Sequence, residues 1–100
     1  MSDASSRGYE GFVKSRDLLE RAARTAPGGV HTSIRQTDPS VSFERADGAY
    51  IYDVDGNQYV DYHAAFGPFV LGHCSPTVNE RVNEANGRQD LFGVGATELE

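Results

Sequence analysis

The sequence predicts an α+β segment in which a helix, a small antiparallel sheet and a second helix follow one another. Three patterns predict it. Apolar residues recur at helical spacing over residues 15–26, strand-forming residues flank two glycine-containing turns within residues 41–62, and a serine–proline pair opens a second helical pattern over residues 75–87. With 100 residues, the chain has at most the length of one ordinary domain.

The predicted first helix spans residues 15–26 and follows a polar stretch, residues 1–14, that we expect to be a flexible arm. Ser15 is the expected N-cap. Asp17 places an acidic side chain in the first turn, where the helix dipole favours it. Residues 27–29, Pro-Gly-Gly, are expected to end the helix and turn the chain.

The predicted sheet begins at Val41, where apolar and polar residues alternate. Strand-forming residues fill 49–54 and 58–62, and two turns separate the strands. The turns lie at residues 47–48, Asp-Gly, and 55–57, Asp-Gly-Asn, which supply the residue types that tolerate positive φ. The sequence therefore predicts three antiparallel strands.

Residues 63–74 mix small, aromatic and glycine residues, which favours a buried, tightly turned segment. The second helix follows, with Ser75 as its cap, Pro76 at its first position and Gly87 at its end. Thr97 is the expected cap of a further helix that has no body within the chain, which favours a truncated polypeptide.

Composition and charge exclude several partners. A net charge of −6 with only nine basic residues argues against nucleic-acid binding. No apolar run approaches the roughly 18 residues that span a membrane, and residues 1–7 lack the apolar stretch of a signal peptide. We therefore expect a cytoplasmic protein with neither nucleic acid nor membrane as its partner. The single cysteine, Cys74, excludes an internal disulfide.

Two possible metal sites are disfavoured by the spacing of their ligands. Residues 53–56, Asp-Val-Asp-Gly, resemble the start of a calcium loop, but the glycine and glutamate required at its sixth and twelfth positions are not there. His63, His73 and Cys74 could ligate zinc, but adjacent His73 and Cys74 chelate poorly and no second pair exists. No metal site is expected.

Four further features each have a structural and a functional interpretation. Cys74 lies at a helix start, which lowers a thiol pKa, but a packing cysteine explains it as well. Residues 28–29, Gly-Gly, could cradle a phosphate, but a helix stop fits them better because no strand precedes them. Arg35 is either an exposed surface arginine or a bidentate carboxylate binder, and Phe66 is either core or the wall of a ligand pocket. The residues alone do not define a reaction.

Three stretches, in this order along the chain, resemble a known family: PGGVHTSIR at residues 27–35, GAYIYDVDGNQYVDY at 48–62 and GPFVLGH at 67–73. Together they resemble the N-terminal segment of class III (subgroup II) pyridoxal-phosphate (PLP) aminotransferases. Within that family they most resemble the branch that contains glutamate-1-semialdehyde 2,1-aminomutase. The resemblance runs from about Ser15 to Glu100.

The resemblance implies a fold-type I PLP-dependent transferase, an α/β homodimer. Residues 15–100 would form the N-terminal segment of its small domain and lead into a large domain that binds pyridoxal 5'-phosphate. The implied reaction moves an amino group between an amino acid or amine and a keto acid or aldehyde, all of them small molecules. Where the aminomutase branch has an asparagine and a proline, this chain has His31 and Ser33. These differences favour an aminotransferase whose substrate is not the semialdehyde.

Three alternatives remain open: the aminomutase, with intramolecular amino transfer; a PLP lyase on the same scaffold; and an inert structural or dimer-forming module.

The same resemblance assigns three substrate-binding residues. Arg35 is expected to bind the substrate carboxylate, Thr32 to hydrogen-bond the same group, and Phe66 to shape the pocket. No catalytic or cofactor-binding residue is expected in this chain. Its only lysine, Lys14, precedes the matching stretches and cannot be the Schiff-base lysine. We therefore expect the chain to be inactive by itself and to belong to a longer enzyme.

Overall fold

The computed structural model describes residues 10–89 and 94–95. Its helices are α1, Val13–Ala22, and α2, Pro76–Asn86, and its strands are β1, Phe43–Asp47, β2, Tyr50–Asp53, and β3, Gln58–Val60. Single 3₁₀ turns lie at Pro27–Gly29, Ser33–Arg35 and Ala64–Phe66. The predicted order of helix, antiparallel sheet and helix is confirmed. Within the described ranges, no helix is long and apolar enough to cross a membrane.

The sheet is antiparallel, with its strands in the order β1-β2-β3. Both predicted turns are confirmed, and each contains a glycine with positive φ, +55° at Gly48 and +95° at Gly56. β1 begins at Phe43, two residues later than the predicted start, and a bulge follows directly between Phe43 and Arg45. The bulge breaks the regular ladder there, so the chain before Phe43 does not continue the strand.

Helix α1 begins two residues earlier than predicted and ends four residues earlier, so Val13 and Lys14 belong to the helix and not to the arm. The cause at the start is a cap from elsewhere in the fold: Asp55 accepts hydrogen bonds from the backbone N–H groups of Lys14 (2.7 Å) and Ser15 (3.0 Å). Ser15, the predicted cap, is instead fully buried inside the helix. Asp17 consequently lies beyond the first turn.

The proline after α1 limits how far the helix can extend. Ala26, which precedes Pro27, has an extended backbone with φ −130° and ψ 126°. A residue before proline is sterically driven away from helical angles, so the chain must leave the helix before it reaches residue 26. The predicted Pro-Gly-Gly stop is therefore confirmed, and the helix already ends at Ala22.

Helix α2 confirms the prediction at both ends, with Pro76 in the first turn and Gly87 as the C-cap. The Ser75 side chain, however, makes no capping hydrogen bond. The prediction that residues 63–74 are buried is wrong, since Phe66, Val70 and Leu71 are 70–86% exposed. Composition indicates which side chains are apolar, but in the described part of the chain no element covers these three.

The buried centre of the described residues is mostly polar. Ser15 and Asp53 are fully buried, and Ala26 is the one buried apolar residue in the described part of the chain. Ser15 Oγ donates to Asp55 Oδ2 (2.7 Å) and accepts from the Ser42 N–H (3.1 Å). One hydroxyl group therefore joins α1, the start of β1 and the β2–β3 turn.

Ser15→Ala is expected to lower the free energy of unfolding by about 1–2 kcal/mol, because it leaves the Ser42 N–H without its acceptor and removes the hydroxyl bond to Asp55 Oδ2, which keeps the bond from the Ser15 N–H. Chemical denaturation of the native-length protein measures this loss. Thr25→Ala is the matched control, since the Thr25 hydroxyl makes a single exposed bond to the Ala22 carbonyl (3.3 Å). Equal losses in the two variants would contradict a joining role for Ser15.

Candidate functional site

Thr32 and Arg35 lie in one short turn, as their spacing requires. The Thr32 hydroxyl accepts a hydrogen bond from the Ile34 N–H (3.1 Å), and the Arg35 N–H donates to the Thr32 carbonyl (3.1 Å). Thr32 is the N-cap of the 3₁₀ turn Ser33–Arg35 and has an extended backbone. Both side chains are exposed. A guanidinium group and a hydroxyl group are therefore both accessible at this turn.

Ile34, between Thr32 and Arg35, is 71% exposed in the described residues. An apolar and a cationic side chain are thus both exposed at this turn.

Phe66 lies in the turn Ala64–Phe66, which has an unusual backbone. Ala64, Ala65 and Phe66 have φ values of +48°, +50° and +70°. Three consecutive non-glycine residues in the left-handed region are strained, and such strain is concentrated at functional sites. His63 holds the turn by accepting the Phe66 N–H at Nδ1 (3.2 Å) and by an edge-to-face ring contact at 4.5 Å. The Phe66 ring remains 73% exposed.

The structure does not join the two halves of the predicted site. Among the hydrogen bonds and ring contacts of residues 10–89, none links Phe66 to Thr32 or Arg35. The three side chains are exposed and positioned by their own turns. Their common pocket stays a prediction.

Asp61 and His73 form a close pair beside the Phe66 turn. Asp61 Oδ2 lies 2.6 Å from His73 Nε2, and Asp61 Oδ1 accepts the N–H groups of His63 (2.8 Å) and Ala64 (3.1 Å). The hydrogen bond from His73 and then the one from the His63 backbone lower the pKa of Asp61. The carboxylate is therefore held in its charged form. From the sequence, His73 is either a zinc ligand or a buried histidine with a hydrogen-bond partner; the structure shows the second and identifies the partner as Asp61.

Asp53 is a buried carboxylate with every oxygen satisfied. Its Oδ1 accepts the N–H groups of Asp55 (3.0 Å) and Asn57 (2.8 Å), and its Oδ2 accepts the Asn57 amide (2.8 Å) and the Tyr59 hydroxyl (2.7 Å). Burial raises the pKa of Asp53, but these four hydrogen bonds outweigh it and the pKa is lowered from 3.8. Burial, with the bond to Asp53, raises the pKa of Tyr59 to about 12.

No group of three or more His, Cys, Asp or Glu residues in the described ranges could hold a metal ion. The residues of this chain do not fit PLP either, because a Schiff-base site needs a lysine amine beside a cofactor cradle. Lys14, the only lysine, lies in the first turn of α1, with its backbone bonded to Asp55. Lys14 therefore lies where α1 contacts the β2–β3 turn, and it is distant in sequence from the Thr32–Arg35 turn.

Comparison with known proteins places this geometry in a class. A β-phenylalanine aminotransferase from Variovorax paradoxus superposes with a TM-score of 0.82 at 31% identity over 98% of this chain and 23% of that one. A transaminase with PLP bound matches with a TM-score of 0.73 at 30% identity, over 83% and 20%. The helix–sheet–helix arrangement is thus that of the fold-type I PLP-dependent aminotransferases.

The sequence narrows the class to one family. The class-III aminotransferase family model matches residues 32–97, and the chain belongs to that family. Glutamate-1-semialdehyde 2,1-aminomutase of Heliobacterium modesticaldum is 42% identical over 93 residues, 89% of this chain. The chain spans about a fifth of that relative's length, 21%. The family resemblance inferred from the three sequence stretches is confirmed.

Proposed function

We propose that this chain is the substrate-carboxylate-binding segment of a PLP-dependent aminotransferase that moves an amino group between an amino acid or amine and a keto acid or aldehyde. The observation that supports the proposal most directly is the Thr32–Arg35 turn, which lies inside the family match and presents two carboxylate-binding groups. In the proposed protein, PLP supplies the electron sink for the chemistry at the substrate's amine-bearing carbon. The relatives are about five times longer, and we propose that cofactor-holding residues lie in their remaining portion.

In this proposal, Arg35 and Thr32 orient the substrate and do no acid–base chemistry. The planar guanidinium pairs with a carboxylate through two parallel N–H bonds, and the Thr32 hydroxyl adds a third donor. Fixing the carboxylate fixes the direction in which the amine approaches the cofactor. Phe66 supplies an apolar wall, and its strained turn presents the ring outward.

The test uses the protein at its native length. Borohydride reduction followed by intact mass is expected to reveal a pyridoxyl adduct on a lysine other than Lys14. A panel of α-, β- and γ-amino acids, followed by the visible absorbance of the cofactor, then identifies the substrate. The matching amines without a carboxylate are the control and are expected to react more slowly. A colourless protein that takes up no added PLP would overturn the proposal in favour of an inert structural or dimer-forming module.

A second candidate, the aminomutase, is favoured by the name of the 42% identical relative from Heliobacterium modesticaldum. An aminomutase would convert glutamate-1-semialdehyde without a keto-acid acceptor, whereas an aminotransferase requires one. A lyase on the same scaffold would release ammonia or a fragment of the substrate.

The proposal further expects a cytoplasmic homodimer. The mass of the protein in solution measures the oligomeric state, and cell fractionation measures the location.

A further inference from the structure

We propose that Asp61 and His73 are positioning residues that hold the turn carrying Phe66 against the end of the sheet. The proposal rests on the proposed function, in which Phe66 lines the substrate site. Neither residue is assigned a contact with the substrate. Their contribution is to keep the Phe66 ring where a bound substrate would meet it.

The Asp61 carboxylate bridges two parts of the fold through its two oxygens. Oδ1 accepts the backbone N–H groups of His63 (2.8 Å) and Ala64 (3.1 Å), which open the turn. Oδ2 lies 2.6 Å from His73 Nε2. The side chains of Asp61 and His73 are only 9% and 15% exposed, so water competes weakly for these bonds.

His73 supplies the fixed end of this bridge. Its N–H donates to the Gly48 carbonyl (2.8 Å), and its carbonyl accepts the Gly48 N–H (3.1 Å), which ties it to the β1–β2 turn. Gly72 packs so closely there that an added Cβ would lie 3.0 Å from Gly48 Cα. The His73 ring also contacts Phe69 at 4.7 Å. His73 therefore cannot shift without the sheet, and Asp61 transmits that fixed position to the turn.

The turn needs such support because its backbone is strained at Ala64, Ala65 and Phe66. Its own bonds are short-range: Phe66 N–H to His63 Nδ1 (3.2 Å) and Gly67 N–H to the Ala64 carbonyl (2.9 Å). The backbone N–H of Asp61 donates to the Ala49 carbonyl (2.8 Å), so the chain is fixed at Asp61, and the two N–H bonds to the Asp61 carboxylate extend that fixed point to the start of the turn. Without those two bonds, the turn would relax toward negative φ and displace the Phe66 ring.

A double-mutant cycle in the native-length protein tests the proposal, with the amino acid identified by the panel as substrate. Phe66→Ala and Asp61→Ala are each expected to raise KM about tenfold with kcat largely retained. If Asp61 acts through Phe66, the double variant has the KM of Phe66→Ala alone. Asp61→Asn keeps an acceptor for the turn and an amide toward His73, and is expected to restore KM to within about twofold.

Tyr59→Phe is the matched control. It removes one buried hydrogen bond to Asp53 in the same sheet and does not contact the turn. It should lower the melting temperature and leave KM unchanged, which is the signature of a merely structural loss. Suppose that Phe66→Ala raises KM but Asp61→Ala only lowers the melting temperature and leaves KM unchanged. That result would overturn the positioning proposal while the proposed function stands. An unchanged KM in Phe66→Ala would overturn both the role of Phe66 and this proposal.

If Asp61→Ala does not accumulate as folded protein, His73→Leu provides the same test. It leaves Asp61 Oδ1 bonded to the turn and removes the His73 partner that holds Oδ2. The proposal is supported if His73→Leu raises KM and if the double variant with Phe66→Ala has the KM of Phe66→Ala alone. An unchanged KM in His73→Leu overturns it.

Discussion

Replacing Arg35 with alanine is expected to lower kcat/KM for a carboxylate substrate by roughly 10- to 150-fold in the native-length protein. A charge-assisted contact to a carboxylate contributes about 1.5–3 kcal/mol, and each 1.36 kcal/mol corresponds to about tenfold. The loss should be found mainly in KM, because Arg35 holds the carboxylate in both the bound substrate and the transition state. Steady-state kinetics against a carboxylated amino acid and its matching amine measure it. The amine should be affected little.

Two companion variants make the Arg35 result specific. Arg35→Lys should recover only part of the loss, since an ammonium group lacks the planar fork. Arg81→Ala is the control, because Arg81 is also an exposed arginine and pairs with Glu84 on α2 at 3.1 Å. Arg81→Ala should leave the kinetics unchanged. Equal kinetics in Arg35→Ala and Arg81→Ala would show that Arg35 is an ordinary surface arginine.

The sheet could be predicted from the sequence because its determinants are local. Gly48 and Gly56 both adopt positive φ, and each lies inside a turn whose neighbours are strand formers. Helix α2 was equally local, since Pro76 and Gly87 mark its two ends. Each of these features depends on residues within a few positions of one another.

The start of α1 could not be predicted in this way, because its cap is Asp55, 40 residues away from Ser15. Asp55 had a local explanation in the hairpin turn, and nothing in the sequence links that turn to the helix. The burial of residues 63–74 was mispredicted for a related reason. Apolar composition predicts that a surface will be covered, but the side chains of Phe66 and Leu71 face solvent in the described residues.

The residues of the candidate site likewise differ in whether the sequence could predict them. Arg35 and Thr32 could be named only through the family resemblance, since an isolated loop arginine is ambiguous by itself. The structure adds that Arg35 lies in a 3₁₀ turn and that Thr32 is the N-cap of the same turn. Asp61 and His73 had no signal, because they are twelve residues apart and meet only through the bridge of His73 with Gly48. Asp53 had a weak sequence signal, the Asp-x-Asp-Gly pattern. A buried carboxylate that accepts four hydrogen bonds explains this pattern better than a calcium site does.

Asp53→Ala is expected to produce the largest loss of stability of any single substitution considered for this chain. Asp53 is fully buried and accepts four hydrogen bonds, two from Asn57 and one each from Asp55 and Tyr59. Removing the carboxylate leaves buried donors without acceptors, at about 1–3 kcal/mol for each donor that water cannot reach. We expect a loss of about 3 kcal/mol or more in the free energy of unfolding. Denaturant titration of the native-length protein measures it.

The pH dependence separates the charge of Asp53 from its shape. Because the folded-state pKa is lowered from 3.8, the charged form contributes stability that is fully present above the unfolded value and is lost as the pH falls through the folded one. Asp53→Asn keeps the shape and half of the acceptors, so it should lose less stability than Asp53→Ala at neutral pH. Its stability should also fall less steeply below about pH 4. Asp17→Asn, on the exposed face of α1, should match the unsubstituted protein throughout. If Asp53→Asn kept the full acid dependence, the charge would not be what holds the β2–β3 turn.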